Sequence, residues 1–165
     1  MFNPDFRKYS SWLYLMIQIL RIIQRNSKIT TREIAKQLNL PVTTVFTRIK
    51  KLEQRGIIKE YRAILDAKKL GKSTTAFILA SFTYRPPNKE LLSQRKLAEE
   101  IAKFPEVQEV HIITGDWDLL IKVKAEDVEA IGKFVIDKLR LVKGIEKTLT
   151  CVVFETEKET TEISL

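Results

Sequence analysis

Six side chains between positions 43 and 55 carry the most pointed chemistry in this chain of 165 residues: Thr43, Thr44, Thr47, Arg48, Lys51 and Arg55. Each threonine offers a hydroxyl beside a methyl, a combination that suits the polar and apolar edges of stacked bases. Arg48 is expected in the groove with them, and Lys51 and Arg55 suit phosphate. Thr31 and Arg32, a dozen residues earlier, are further candidates for contact with a nucleic-acid backbone. Other chemistries are poorly supplied. With a single cysteine, Cys151, and a single histidine, His111, neither a two-thiol nor a His-rich metal site can form. No nucleophile–base pair, phosphate-binding loop or cofactor motif stands out.

A helix that reads bases must be held by a buried stripe while its other face stays free. Val45, Ile49 and Leu52 recur at i, i+4 and i+7 and supply that stripe. Pro41 stands in the first turn, and Gly56 closes the helix after Arg55. The element before it opens on Thr30-Thr31-Arg32-Glu33, a capping box. Its face is Ile34, Ala35 and Leu38, and Asn39-Leu40-Pro41 stops it within about two turns. Residues 12–23 are apolar except for Gln18 and Arg21. That run is too short to span a bilayer, which takes about 20 residues, and no small-residue cleavage site follows it. It reads as a core helix buried on several sides. Residues 57–64 read as a short strand or wing.

Charge divides the chain. Residues 1–72 hold sixteen Lys and Arg against five acids, while residues 73–165 hold thirteen against sixteen. A basic first half facing a polyanion, with a separate second half, follows from that split. Domains are expected at 1–64 and 74–165, with 65–73 as the linker. The lone cysteine fits a reducing, cytoplasmic setting.

The second half alternates element types: strand 74–84, helix 89–104 with Asn88 as its N-cap, strands 107–114 and 117–124 joined at Gly115-Asp116, helix 126–141 and strand 145–154. Residues 155–165 form a polar tail. Val128, Ile131, Val135 and Leu139 mark the buried face of the second helix. The order βαββαβ is that of a ferredoxin-like domain, so the fold class is α+β, a winged or helix-turn-helix domain followed by a βαββαβ domain. Helices cover one face of such a sheet, yet both faces here are apolar. Phe77 and Leu79 oppose Ile78, Ala80 and Phe82, and Leu120 opposes Leu119 and Ile121. Cys151 and Val153 likewise oppose Val152 and Phe154. Exposed apolar surface costs about 25 cal/mol per Å², and a second copy is the expected cover, giving a homodimer.

In this order, these residues resemble the Lrp/AsnC (feast/famine) transcription regulators. The resemblance is carried by Ile19-Leu20, Gln24 to Ile29, Glu33-Ile34-Ala35, Arg48 to Glu53 with Gly56-Ile57-Ile58, and Asp66 to Leu70-Gly71. It continues through Pro105-Glu106-Val107, Thr114 to Asp118 and Gly144 to Thr148. Two departures stand in it: Met16 where the family carries Asp, and Pro41 where Ser often caps the recognition helix. The resemblance implies double-stranded DNA as partner, a dimer assembled into tetramers or octamers, and no cofactor. It also implies an amino-acid effector near Thr114, Gly115, Asp116, Trp117 and Asp118, with His111 close by. Gly115 can adopt positive φ there, and the two aspartates can pair an ammonium group. The same turn also reads as a plain hairpin with a buried Trp and a capping Asp. Two alternatives stay open: a chromatin-like protein that compacts DNA, and an enzyme like the haem-pathway decarboxylases that resemble the family, for which His111 is the one candidate imidazole.

Overall fold

The computed structural model describes residues 11–84 and 91–165, the side chains at 11 and 12 excepted. Two compact units are present, residues 1–64 with 159–165, and residues 65–158. The expected Asn88 cap and the stretches 1–10 and 85–90 lie outside the described residues.

Three helices build the first unit: α1 (Ser11–Arg25), α2 (Thr31–Leu38) and α3 (Val42–Gln54). Met16, Ile19 and Ile23 of α1 are buried with Ile34 and Ala35 of α2 and with Val45 and Leu52 of α3. Only that stripe of α1 is fully buried, and Tyr14 is exposed, so its many-sided burial is not reached. Thr30 caps α2 reciprocally. Its hydroxyl accepts from the Glu33 amide at 3.2 Å, and Glu33 Oε2 accepts from the Thr30 amide at 2.7 Å. The helix ends on Asn39 in the left-handed region (φ 52°), a conformation its short polar side chain tolerates. Pro41 then caps α3 with its carbonyl, which accepts from Thr44 and Val45, and supplies no side-chain cap. No strand forms over residues 57–64, contrary to expectation. A strand exists through its ladder, and no neighbouring strand pairs with this segment among the described residues. The tail also departs from expectation. Ile163 exchanges two hydrogen bonds with the Gln24 side chain, Glu162 pairs with Arg25 at 3.0 Å, and Arg21 donates to the Leu165 carbonyl.

The second unit runs β1 (Thr74–Phe82), α4 (Gln94–Ile101), β2 (Val107–Ile112), β3 (Leu119–Ala125), α5 (Val128–Asp137), a 3-10 turn (Leu139–Leu141) and β4 (Ile145–Val152). The sheet order is β2-β3-β1-β4, all neighbours antiparallel. Helix α4 starts later than expected, on a Ser93 cap, because Ser93 accepts from the Lys96 amide. One sheet face buries Ala76, Ile78, Ala80 and Phe82 beside Leu119, Ile121 and Val123, under Leu97 and Ile101 of α4 and Ile131, Phe134 and Val135 of α5. Val128 is exposed, not buried as expected, and Phe134 takes a place on that face, edge-on to Phe104 at 5.7 Å. Asp127 caps α5, its carboxylate accepting from the Ala130 amide.

On the other face the register places Phe77 between Lys122 and Cys151, and Leu79 between Leu120 and Leu149. Phe77, Leu79 and Leu120 stay partly accessible, and Leu149 and Cys151 are exposed. The apolar face read from the sequence is present, with none of the buried core on it.

Gly144 turns the chain into β4 at φ 109°, and its carbonyl accepts from Thr83 at 2.9 Å. A Cβ there would stand 2.9 Å from the Phe82 ring and 3.0 Å from Leu92. Gly144→Ala is therefore expected to destabilise the α/β unit by about 3 kcal/mol, from backbone strain and crowding together. Urea unfolding followed by the Trp117 signal measures it. An unchanged midpoint would show that the turn relaxes freely.

Candidate functional site

The stripe Val45–Leu52 faces the core, so 3.6-residue periodicity turns Thr43 and Thr47 outward. Thr43, Thr44, Thr47, Arg48 and Lys51 line one open concavity of about 330 Å³. Five of the expected contact residues thus lie together on α3. The Thr47 hydroxyl donates to the Thr43 carbonyl at 2.8 Å. Arg55 caps the helix just beyond, and Arg32 is exposed in the first turn of α2, where unpaired amides favour an anion. Thr31 beside it is half-buried. The Glu33 carboxyl of the capping box is held below its ordinary value by its hydrogen bonds to Thr30, so it stays ionised.

Arg48 differs from the expectation of a groove-reading fork. Its Nε and Nη1 are buried and find no hydrogen-bond partner among the described residues. A bidentate grip on a base or phosphate needs two donors side by side, and only Nη2 remains for it. On the opposite flank, beside Lys50, sequence reasoning missed Val42 and Phe46. Phe46 is 53% exposed, with Lys50 Nζ 5.9 Å from its ring centroid. Lys50 pairs with Glu53 at 2.8 Å, and the Tyr61 hydroxyl donates to the other Glu53 oxygen at 3.0 Å. Lys50 first, then Tyr61, hold the Glu53 carboxyl low. Burial, reinforced by Glu53, pushes the Tyr61 hydroxyl up to about 12. The overlooked signal was two large apolar residues, Val42 and Phe46, one turn apart and off the buried stripe.

The second candidate site is the turn between β2 and β3. Thr114, Gly115 and Asp116 are exposed, and Gly115 has the expected positive φ, 119°. Asp118 closes the turn. Its carboxylate accepts from the Phe82 amide at 2.7 Å, its amide donates to Ala80, and its carbonyl accepts from Ile113 and from Gln94. These bonds brace the turn within the chain and leave the carboxylate already engaged. His111 sits in β2 opposite Leu120, on the apolar sheet face, and contacts Glu109 at 3.2 Å. Glu109 is held low by His111 first, and by Lys122 against the opposing effect of burial. Trp117 alone of the turn faces a concavity, of about 590 Å³, shared with Arg140 and residues 145–149. Arg140 Nε donates to Thr148 Oγ1 at 3.2 Å across it. Arg140, Glu146 and Lys147 are the charged residues the sequence reading did not select.

A family model described as the Lrp/AsnC ligand binding domain matches residues 75–163, and one described as winged helix-turn-helix DNA-binding matches residues 14–59. The chain is 46% identical over 142 residues to an HTH-type transcriptional regulator of Pyrococcus abyssi, covering 86% of this chain and 92% of that one. It is similar in structure to a transcriptional regulator of Neisseria meningitidis solved with L-Met, with a TM-score of 0.83 and 27% identity over 91% of this chain and 94% of that one. AsnC of E. coli superposes with a TM-score of 0.79 at 25% identity, over 90% and 96% of the two chains.

Two substitutions test the site geometry. Arg48→Met keeps the stem and removes two unsatisfied buried donors, so it is expected to raise the unfolding free energy of the intact chain by about 1 kcal/mol. A loss of stability would mean the guanidinium has an acceptor. Asp118→Ala strips the Phe82 amide of its partner and is expected to cost about 1–3 kcal/mol in urea melts. A wild-type midpoint would remove the bracing role.

Proposed function

The chain belongs to the Lrp/AsnC family of transcriptional regulators, and we propose that it reads duplex DNA through α3 as a homodimer whose affinity for its sites is set by an amino acid held beside Trp117. The observation that carries the reading is the grouping of Thr43, Thr44, Thr47, Arg48 and Lys51 on the one helix face that the core leaves open. Hydroxyls and methyls there meet base edges, and Lys51 and Arg55 meet phosphates. The DNA site lies in the cytoplasm, where the lone exposed Cys151 stays reduced.

Support for an amino-acid effector comes from the L-Met complex of the Neisseria relative and from the chemistry of the concavity. An α-carboxylate finds Arg140 and Lys147 there, an ammonium finds Glu146, and a side chain finds Trp117 and Ile145. Asp118 fixes the turn that carries Trp117. Support for the dimer comes from the sheet face of Phe77, Leu79, Leu120 and Leu149, which a second copy buries.

The test is footprinting and competition binding at stated salt, with a panel of amino acids, alongside sedimentation. Protected half-sites spaced by about one 10-bp turn are expected, together with a dimer or a multiple of it at micromolar concentration. Lys51→Ala is expected to weaken all duplexes alike and to lower the salt slope by about 1. At least one amino acid is expected to shift the affinity, and Arg140→Ala to abolish that shift. Equal competition by random duplex would replace this reading with that of a DNA-compacting protein.

A further inference from the structure

Position on α3 decides what each side chain meets, and the outward stripe of this helix is not wholly polar. Val42, Thr43, Phe46, Thr47 and Lys50 fall at i, i+1, i+4, i+5 and i+8, which is one continuous stripe. Val42 is 43% exposed and Phe46 53%, while Val45 and Leu52 of the same helix are fully buried. Single exposed apolar residues are ordinary on a protein surface. Here two stand one turn apart at the start of the reading helix, flanked by the two threonines that face the same way.

The Phe46 ring is also held. Lys50 sits over it at 5.9 Å, Glu53 fixes Lys50 at 2.8 Å, and Tyr61 fixes Glu53 at 3.0 Å. The cation prefers the ring face, leaving the edge open. A major groove offers one apolar group to such a surface, the C5 methyl of thymine. We propose that Val42 and Phe46 are specificity determinants that read thymine methyls, with Lys50 as the positioning residue that orients the ring. This deepens the DNA-reading function above and rests on it. One helical turn spans 5.4 Å and a base step about 3.4 Å, so the two methyls lie roughly one to two steps apart in each half-site.

The experiment uses the full chain and a duplex selected by it from a randomised pool. Each thymine is replaced singly by uracil, which removes the methyl and leaves every hydrogen-bonding group in place. Affinity is measured by fluorescence anisotropy at one fixed salt concentration. The wild-type chain is expected to lose about fourfold at one or two positions per half-site, the worth of one buried methyl. Phe46→Ala is expected to bind thymine and uracil duplexes equally at its position while keeping the wild-type salt slope. Phe46→Leu, which restores an apolar surface, is expected to recover part of the discrimination and controls for folding. The proposal is overturned if no uracil substitution weakens binding, or if Phe46→Ala still shows the wild-type penalty. It is equally overturned if Phe46→Ala changes sedimentation alone, which would assign the ring to a protein contact. Wild-type chain that prefers its selected duplex yet ignores the methyls sinks this inference only. Failure to prefer that duplex over random DNA sinks the reading beneath it as well.

Discussion

The burial of Val45 and Leu52 against Ile19 and Ile34 fixes the rotation of α3, and everything outward on that helix follows from it. A helix has one rotational freedom on its support, and two fully buried residues remove it. Its entry is fixed by a left-handed Asn39 and a φ-locked Pro41, its exit by Gly56. Because Pro41 gives no side-chain cap, the first amides of α3 depend on the proline carbonyl and on solvent. The capping box on α2 and the packed stripe on α1 therefore hold the geometry that α3 does not secure alone.

The α/β unit answers a different constraint. One layer of helices covers one sheet face, and the sheet is apolar on both. Within the covered layer, Asp118 ties the β2–β3 turn to the bulged end of β1, where the register shifts between Ser81 and Phe82. That tie holds Trp117 at the mouth of the concavity formed with the start of β4. The backbone of Asp118 and the Gln94 side chain complete the brace, so the turn is set by the sheet and not by its own exposed tip.

Much of this was legible in residue order. The capping box, the 45–49–52 stripe, the βαββαβ order and the two-faced apolar sheet are local patterns whose period alone identifies them. What escaped depended on long reach or on partners. Arg48 lines the concavity on α3, but the burial of two of its nitrogens depends on how its long aliphatic stem packs. Phe46 was passed over because apolar residues are assumed to face inward. Residues 57–64 have strand-like composition without a neighbour to pair with among the described residues. Val128 is apolar at helical spacing, yet as the first residue of α5 it lies beyond the buried layer that Ile131, Phe134 and Val135 form. The docking of residues 162–165 on α1 rests on contacts across more than 130 positions, which no local pattern announces.

The hydroxyl of Thr47 already gives its hydrogen to the carbonyl one turn back. Outward it shows lone pairs and a methyl, and nothing to donate. In that rotamer it can accept from the exocyclic amine of adenine or cytosine but cannot serve guanine, whose major-groove edge holds acceptors alone. A bond formed inside the helix thus sets the polarity of what the helix can recognise outside it.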